Sequence, residues 1–447
     1  MLIRRASLLS GGVVDIRVSE LITEIGPALA PTEDEIVLDA AGGLVTPGLH
    51  DHHLHVRAAA AALSSVQVGP PQVRDRLEFA ASLSHAVPGD DGWIRAVGYH
   101  DSVAGPLTRD LLDQLVPVAP LRVQHRSGAM WVLNSAGLSS VGLDDHPDGQ
   151  LFRADSAPPW PDRRPALGLL SDTLLSYGVI GVTDATPGQS ASDLQSLGAA
   201  YLSGEFTPRL HCLARPEIDA MPGVTLGPTK RILDDITLDL ESLQDWIAHC
   251  HGVGRAVAVH CVTASQLVVT MAALRGAGVH PGDRIEHAAV VPADCIADLA
   301  ELGVTVVTQP NFVAERGDEY LTDVPVDEQD QLWRVGSLRA AGVQLALSTD
   351  APFGAADPWA AMRAAVQRVT PSGSVLGSAE RVTATEALMG FLGAPDDPSA
   401  PRTVSIGAPG DLCVLSGPAA TVLAELDARL IAATVVGGEL KWRRAGP

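Results

Sequence analysis

The sequence predicts an α/β fold: repeated strand–helix units closing into a (β/α)₈ barrel, with a small β-domain drawn from both ends of the chain. Three observations point there. Apolar strands alternate with amphipathic helices through the middle of the chain, the pattern of a parallel sheet with helices on its faces. Residues able to do chemistry recur at the ends of those strands, with 30 residues from Lys230 to His260 and 27 from His260 to His287. A barrel unit takes roughly 30 residues, so this spacing selects a closed barrel over an open sheet. Finally, both termini consist of short apolar runs broken by turn residues.

The first 45 or so residues carry Leu2-Ile3, Gly11-Gly12-Val13-Val14, Ile36-Val37-Leu38 and Gly42-Gly43-Leu44-Val45, which read as short antiparallel strands. The C-terminus repeats the style with Gly410-Asp411-Leu412-Cys413-Val414-Leu415 and Ile431 to Val436. Neither piece is long enough to enclose a core, so residues 1–48 and 401–447 are expected to form one domain around a barrel spanning 49–400. Within the barrel, strands are expected at Arg255–His260, Arg284–His287, Val304–Gln309 and Val343–Asp350. Helices are expected at Ser265–Gly276, Pro292–Gly303 and Leu332–Gly342. From His55 to Lys230 is 175 residues, where three units need only about 90. The surplus is placed at about 57–165, a segment rich in Ala, Ser and Pro with helical stretches at Val73–Ala86 and Thr108–Leu115.

Composition narrows the function. At 447 residues and 46% hydrophobic, the chain is too apolar to be disordered. A net charge of −22 argues against nucleic acid or anionic lipid as a partner, since both bind basic patches. The five cysteines form no C-x-x-C pair, which points away from a disulfide framework and toward a reducing compartment. The opening Met1 to Ser10 has paired arginines, but its apolar run stops at once and reads as a strand, not a signal. The long uncharged run Ala256–Leu274 holds His260, Thr263, Ser265 and Gln266 and makes a poor membrane span. The expectation is a cytoplasmic protein acting on a small molecule, with no nucleic acid and no membrane. A homo-oligomer is compatible with this, although no single residue argues for one.

The richest segment is Thr46-Pro-Gly-Leu-His-Asp-His-His-Leu-His55. On a regular strand Asp51, His53 and His55 share one face, and two imidazoles at i, i+2 stand about 7 Å apart at their base, close enough to converge on one metal. A bare His-x-His is more often a surface turn. Here it follows Pro-Gly at the end of an apolar run. Lys230, His260, His287 and Asp350 then fall near the C-terminal ends of later strands, where barrel enzymes place their catalytic groups. Taken singly each has a plain structural role; together, at barrel spacing, they suggest a site. Lys230 also stands out because only Lys230 and Lys441 among 31 basic residues are lysine.

Pro47-Gly48-x-x-Asp51-x-His53-x-His55, Lys230, His260, Arg284-Ile-Glu-His287, Thr308-Gln-Pro310 and Ser348-Thr-Asp350-x-Pro352 together resemble the amidohydrolase superfamily. More narrowly they resemble the branch containing N-substituted formamide deformylases. Asn134-Ser135, Asp357-Pro358, Arg368 and Gly407-x-x-Gly410-Asp411-Leu412 extend the likeness over nearly the whole chain. The resemblance implies a distorted barrel with a β-sandwich made by both termini. It implies that His53 and His55 bind one divalent metal, zinc first among candidates. Lys230 would carry a CO₂-derived carbamate bridging to a second metal held by His260 and His287. Asp350 would touch metal and serve as the catalytic proton carrier while metal-bound hydroxide attacks a carbonyl. Ligand histidines normally give their second ring N–H to a carboxylate or carbonyl; Asp51 and Glu286 are the candidate partners, with a purely structural role the alternative for either.

The implied reaction is hydrolysis of a C–N bond in a non-peptide amide, formamide or carbamate-like molecule. Candidate substrate contacts are Trp131, Asn134, Thr263, Gln309, Asn311 and Phe353. Where the branch has Asp-Gly-His ahead of Asn-Ser, this chain has Ser127-Gly-Ala129, so substrate does not carry over. A one-metal deaminase on the same fold is disfavoured, because that class generally has Glu where Thr263 stands and lacks the lysine. An ester or lactone hydrolase stays open. A catalytically retired scaffold fits poorly with a full set of ligand positions.

Overall fold

The computed structural model describes residues 1–152 and 165–445. The end of the expected 57–165 insertion, from 153 to 164, therefore lies outside the described residues. The chain divides into two compact units, one of residues 1–56 with 167–447 and one of residues 57–166.

The larger unit contains the barrel. Its strands are β1 (Leu49–Leu54), β2 (Val179–Asp184), β3 (Arg209–Leu213), β4 (Thr225–Gly227 continuing as Thr229–Ile232), β5 (Val257–Cys261), β6 (Arg284–His287), β7 (Thr305–Thr308) and β8 (Gln344–Leu347). All neighbouring pairs are parallel, with register points Asp51↔Val182, Thr183↔His211, Lys230↔Ala258, Cys261↔His287 and Thr308↔Leu347. The first half of β4 pairs with β3 and the second half with β5. Pro228 stands at the switch, where a residue without an N–H interrupts the ladder at least cost. The ring closes as Asp350 N donates to His53 O at 2.9 Å and His55 N to Ala351 O at 2.8 Å. The result is a distorted (β/α)₈ barrel.

The strands form because they are buried on both faces: every residue of β1, β2, β6 and β7 is buried. Helices start where the sequence supplies caps. Thr263 caps Ala264–Ala277 through Gln266 N, and Ser190 with Asp193 makes a capping box ahead of Ala191–Ser203. The helix expected at 332–342 is shorter, Gly336–Ala340. Trp333 sits at φ +50, outside the helical region, and the carbonyls of Leu332 and Trp333 accept from the buried Arg368 guanidinium at 2.9 and 2.7 Å.

Both termini contribute to a β-sandwich. One sheet runs Ile22–Gly26, Val13–Val18, Leu2–Ser7, Val37–Asp39; the other runs Glu439–Arg443, Ile431–Val436, Leu412–Leu415, Val45–Pro47. Ile3, Ile16, Leu38, Val45, Val414 and Val435 share one core between them. The strands were expected to be antiparallel throughout, but Leu2–Ser7 and Val37–Asp39 are parallel. The hairpin Val13–Gly26 occupies the other edge of Leu2–Ser7, and the chain returns along the free edge in the same direction.

Residues 57–166 hold more than the helices read from sequence. Helices Arg76–Ser84 and Arg109–Leu115 are present, capped by Asp75 and Thr108. They pack on a five-stranded sheet of Val66–Gln67, Ile94–Tyr99, Leu121–His125, Met130–Leu133 and Gln150–Phe152. These strands are short and interrupted by Arg and Gln, so their period-2 signal is weak. All five cysteines are free and buried. Among the described residues no helix is long and apolar enough to cross a membrane.

Candidate metal centre

Strand β1 is not regular. Its register against β2 shifts between Asp51 and Leu54; His53 and His55 converge as their i, i+2 spacing predicts, while Asp51 does not join them. Asp51 turns toward the strand that closes the ring: its carboxylate accepts from Thr349 N at 3.2 Å, Thr349 Oγ1 at 2.5 Å and His53 N at 3.2 Å. Burial pushes the Asp51 carboxyl up to about 7. Asp51 is thus a structural tie between β1 and the end of β8, not the carboxylate that orients a ligand histidine.

That role falls to Glu286. It accepts from His53 Nδ1 in a fully buried hydrogen bond, which places the ring proton on Nδ1 and leaves Nε2 as the lone-pair donor. Arg284 holds Glu286 in turn, with Nε to Oε1 at 2.8 Å, and donates Nη2 to His52 O at 2.7 Å. Burial, with Lys230 alongside, keeps His53 well below the usual histidine range and therefore neutral.

Around His53 Nε2 the donors gather. His53, His55 and Asp350 each offer one ligand atom, all within 4.8 Å of one another. His55 Nε2 lies 3.3 Å and His53 Nε2 3.6 Å from Asp350 Oδ1, and that oxygen is buried with no hydrogen-bond partner. Two imidazole nitrogens and an orphaned carboxylate oxygen form a donor set suited to a divalent ion such as zinc. His55 is steadied by Thr186 Oγ1, 3.3 Å from Nδ1, and by Phe353, whose ring meets it edge-on at 5.2 Å. Asp350 adopts φ +55 and His287 φ +70, left-handed conformations that non-glycine residues keep only when their surroundings hold them.

Lys230 reaches the same place from β4. Its Nζ is 3.1 Å from His53 Nε2, the side chain is buried, and burial lowers its pKa. Lys230 was expected at a strand's C-terminal end; it is instead the second residue of Thr229–Ile232, because β4 restarts after Pro228. His287 and His260 stand beside the donor group rather than within it. Their ring centroids are 4.5 Å apart, and His287 is 4.7 Å from His53. His287 Nδ1 donates to Gln309 Oε1 at 2.8 Å, and Gln309 Nε2 donates to Ser348 Oγ at 2.9 Å.

The expected substrate contacts have separate fates. Gln309 is buried and engaged in orienting His287. Asn311 Nδ2 donates to Thr349 O at 3.0 Å, while its Oδ1 is buried without a partner. Phe353 packs on His55. Thr263 is a helix cap whose hydroxyl donates to Asp235 at 2.8 Å. In the 57–166 unit, Asn134 gives its whole amide to backbone, accepting from Leu121 N and Gly137 N and donating to Val116 O and Ala119 O. Trp131 there has the guanidinium groups of Arg95 and Arg122 over its ring, 5.4 and 5.2 Å from the centroid. The sequence reading missed Glu315, four residues after Asn311 on one helix, and the role of Gln309 as the partner of His287. An i, i+4 pair following a strand-end motif was the available signal for Glu315.

The amidohydrolase family model matches residues 36–203 and 220–440, and the chain belongs to that family. It is similar to an N-substituted formamide deformylase of Arthrobacter pascens, 26% identical over 99% of this chain and 95% of that protein. Among solved structures it resembles an uncharacterized metal-dependent hydrolase of Pyrococcus horikoshii, with a TM-score of 0.75 and 18% identity over 93% of this chain and 97% of that one. Another of Pyrococcus furiosus matches with a TM-score of 0.71 and 20% identity over 91% and 96%. Family membership and the three-donor group together define a metal-dependent hydrolase.

Proposed function

We propose that the protein hydrolyses a C–N bond in a small non-peptide amide, with N-substituted formamides the first class to test, releasing formate and an amine. The observation that carries this reading is the convergence of His53, His55 and Asp350 around one point. Similarity to a formamide deformylase along nearly the whole chain supports the choice of substrate class.

His53, His55 and Asp350 would hold a divalent ion, which would supply an acidified water and polarise the scissile carbonyl. His53, kept neutral and held through Glu286, and His55, held by Thr186, present Nε2 to the ion. Asp350 Oδ1 accepts the proton of the attacking water and delivers it to the leaving nitrogen, so that the amine departs neutral.

Lys230 extends the reading. Burial lowers the pKa of Lys230, so its amine gives up a proton more readily than an exposed lysine, a change arginine cannot make. Its nitrogen could add to the carbon of CO₂ with loss of a proton, which would give a carbamate with two oxygens. That group, with His260 and His287, would hold a second ion next to the first.

The test is metal analysis of purified protein together with formate release from a panel of N-substituted formamides, before chelation, after it and after zinc is restored. The expected result is release that is lost on chelation and regained with zinc. Protein that carries and binds no metal, or zinc-loaded protein that releases formate from none of the panel while cleaving esters, would overturn the reading.

A further inference from the structure

The loop that carries Asp350 is gripped from one side by a single helix, Asn311–Asp323. Asn311 Nδ2 donates to Thr349 O at 3.0 Å, on the residue just before Asp350. Glu315 Oε1 accepts from Ala355 N at 3.0 Å, on the far side of the loop. The two are linked to each other, Asn311 Nδ2 donating to Glu315 Oε1 at 3.2 Å. Arg316 donates to Phe353 O. Residues 311 and 315 share one helical face and so reach the backbone both before and after Asp350.

The seam is tight. A Cβ added at Gly354 would stand 2.2 Å from Asn311 Nδ2 and 2.3 Å from Thr349 O, so the helix docks where only glycine fits. Inside the loop, Phe353 N and Gly354 N donate to Asp350 O at 2.8 and 3.1 Å. Asp350 itself is at φ +55, a conformation its surroundings must impose. Asp51 pins the β8 side through Thr349, His55 N holds Ala351 O at the start of the outgoing side, and the helix holds Phe353 and Ala355 beyond it.

We propose that Glu315 is a positioning residue, whose carboxylate oxygen clamps the Thr349–Ala355 loop so that Asp350 holds its oxygen toward His53 and His55. The claim rests on the metal-hydrolase reading for its consequence, but the clamp itself is a property of the protein alone. Glu315 touches neither ligand nor reacting atoms. It acts through hydrogen bonds accepted by one oxygen, a task that a glutamine oxygen also performs.

The test compares wild type, Glu315→Ala and Glu315→Gln by hydrogen–deuterium exchange of metal-free protein and by Co²⁺ titration with its visible absorption. In Glu315→Ala, exchange across 349–355 is expected to accelerate, Co²⁺ affinity to fall by about tenfold or more, the scale of losses from residues behind the ligands, and the cobalt spectrum to change. Glu315→Gln is expected to restore both exchange protection and Co²⁺ affinity. Unchanged exchange in Glu315→Ala would overturn the clamp, as would a Glu315→Gln variant as impaired as Glu315→Ala. Should Glu315→Ala fail to fold, Gly354→Ala opens the same seam from the loop side and is expected to give the same two losses; wild-type behaviour there overturns the proposal. Wild-type protein that binds no Co²⁺ would overturn the metal reading, and with it the consequence for Asp350. Wild-type Co²⁺ binding matched by Glu315→Ala overturns the positioning role alone.

Discussion

Glu286 receives the Nδ1 proton of His53 in the core of the barrel, with both side chains fully buried. One hydrogen bond decides which nitrogen of His53 can bind an ion, and Arg284 decides where Glu286 stands. A residue with no place in the donor group therefore sets the group's geometry. Replacing Glu286 with Gln keeps an acceptor oxygen but removes the charge that balances Arg284. Zinc affinity is expected to fall by about 10–100-fold, measured by competition with a chromophoric chelator. Glu286→Ala leaves a buried guanidinium without its carboxylate and is expected to cost about 3–5 kcal/mol of stability as well. Equal zinc affinity in wild type and Glu286→Gln would remove Glu286 from the site.

Asp350 combines a ligand atom with a proton-carrying one. Asp350→Asn retains size but cannot accept the proton of water. We expect kcat to drop by about 10²–10⁴, the range of general acid–base contributions, with KM nearly unchanged when zinc is saturating. A drop confined to KM would assign Asp350 to substrate binding instead.

Lys230 separates one-metal from two-metal chemistry. Elemental analysis of protein grown with added zinc is expected to give about two ions per wild-type chain, the count of a paired-metal site, and fewer in Lys230→Ala. Metal content unaffected by the substitution would make the lysine a bystander and leave a one-metal centre of His53, His55 and Asp350.

The buried His211 of β3 should make the fold acid-sensitive. His211 is buried against Gly227, its Nδ1 2.9 Å from Thr225 Oγ1, and burial drives it down to about 4. The unfolded chain keeps a histidine near 6.5, so between those values the unfolded state binds the extra proton. The contribution of His211 is thus complete above about pH 6.5 and is lost as pH falls toward 4, a loss on the order of 3 kcal/mol. Urea unfolding of wild type and His211→Gln at several pH values tests this. The variant should lose less stability over that interval, and parallel curves would refute the assignment.

Much of the molecule is legible in the chain. The βα alternation, its interval and the β-runs at both ends lead to the barrel and the sandwich because strand burial and helix caps are local and periodic. His53, His55 and Asp350 are readable for the same reason: metal chemistry draws on few residue types, and each stands at a strand end. The five strands of the 57–166 unit escape notice because they are short and polar-interrupted. The parallel pairing of Leu2–Ser7 with Val37–Asp39 escapes because direction depends on which edge is free.

The sequence alone determined the architecture and the residue types of the site. The tertiary structure decided their assignments. In β1, whose register against β2 shifts, Asp51 meets Thr349 while His53 and His55 lie beside Asp350. A buried Glu286, 233 positions away in the chain, becomes the partner of His53. Glu315 becomes a candidate only when its helix lies against the Asp350 loop. Ligand identity follows from chemical type, which is written residue by residue. Tautomer, strain and support follow from contacts between strands and helices distant in sequence, which only the folded chain brings within hydrogen-bond reach.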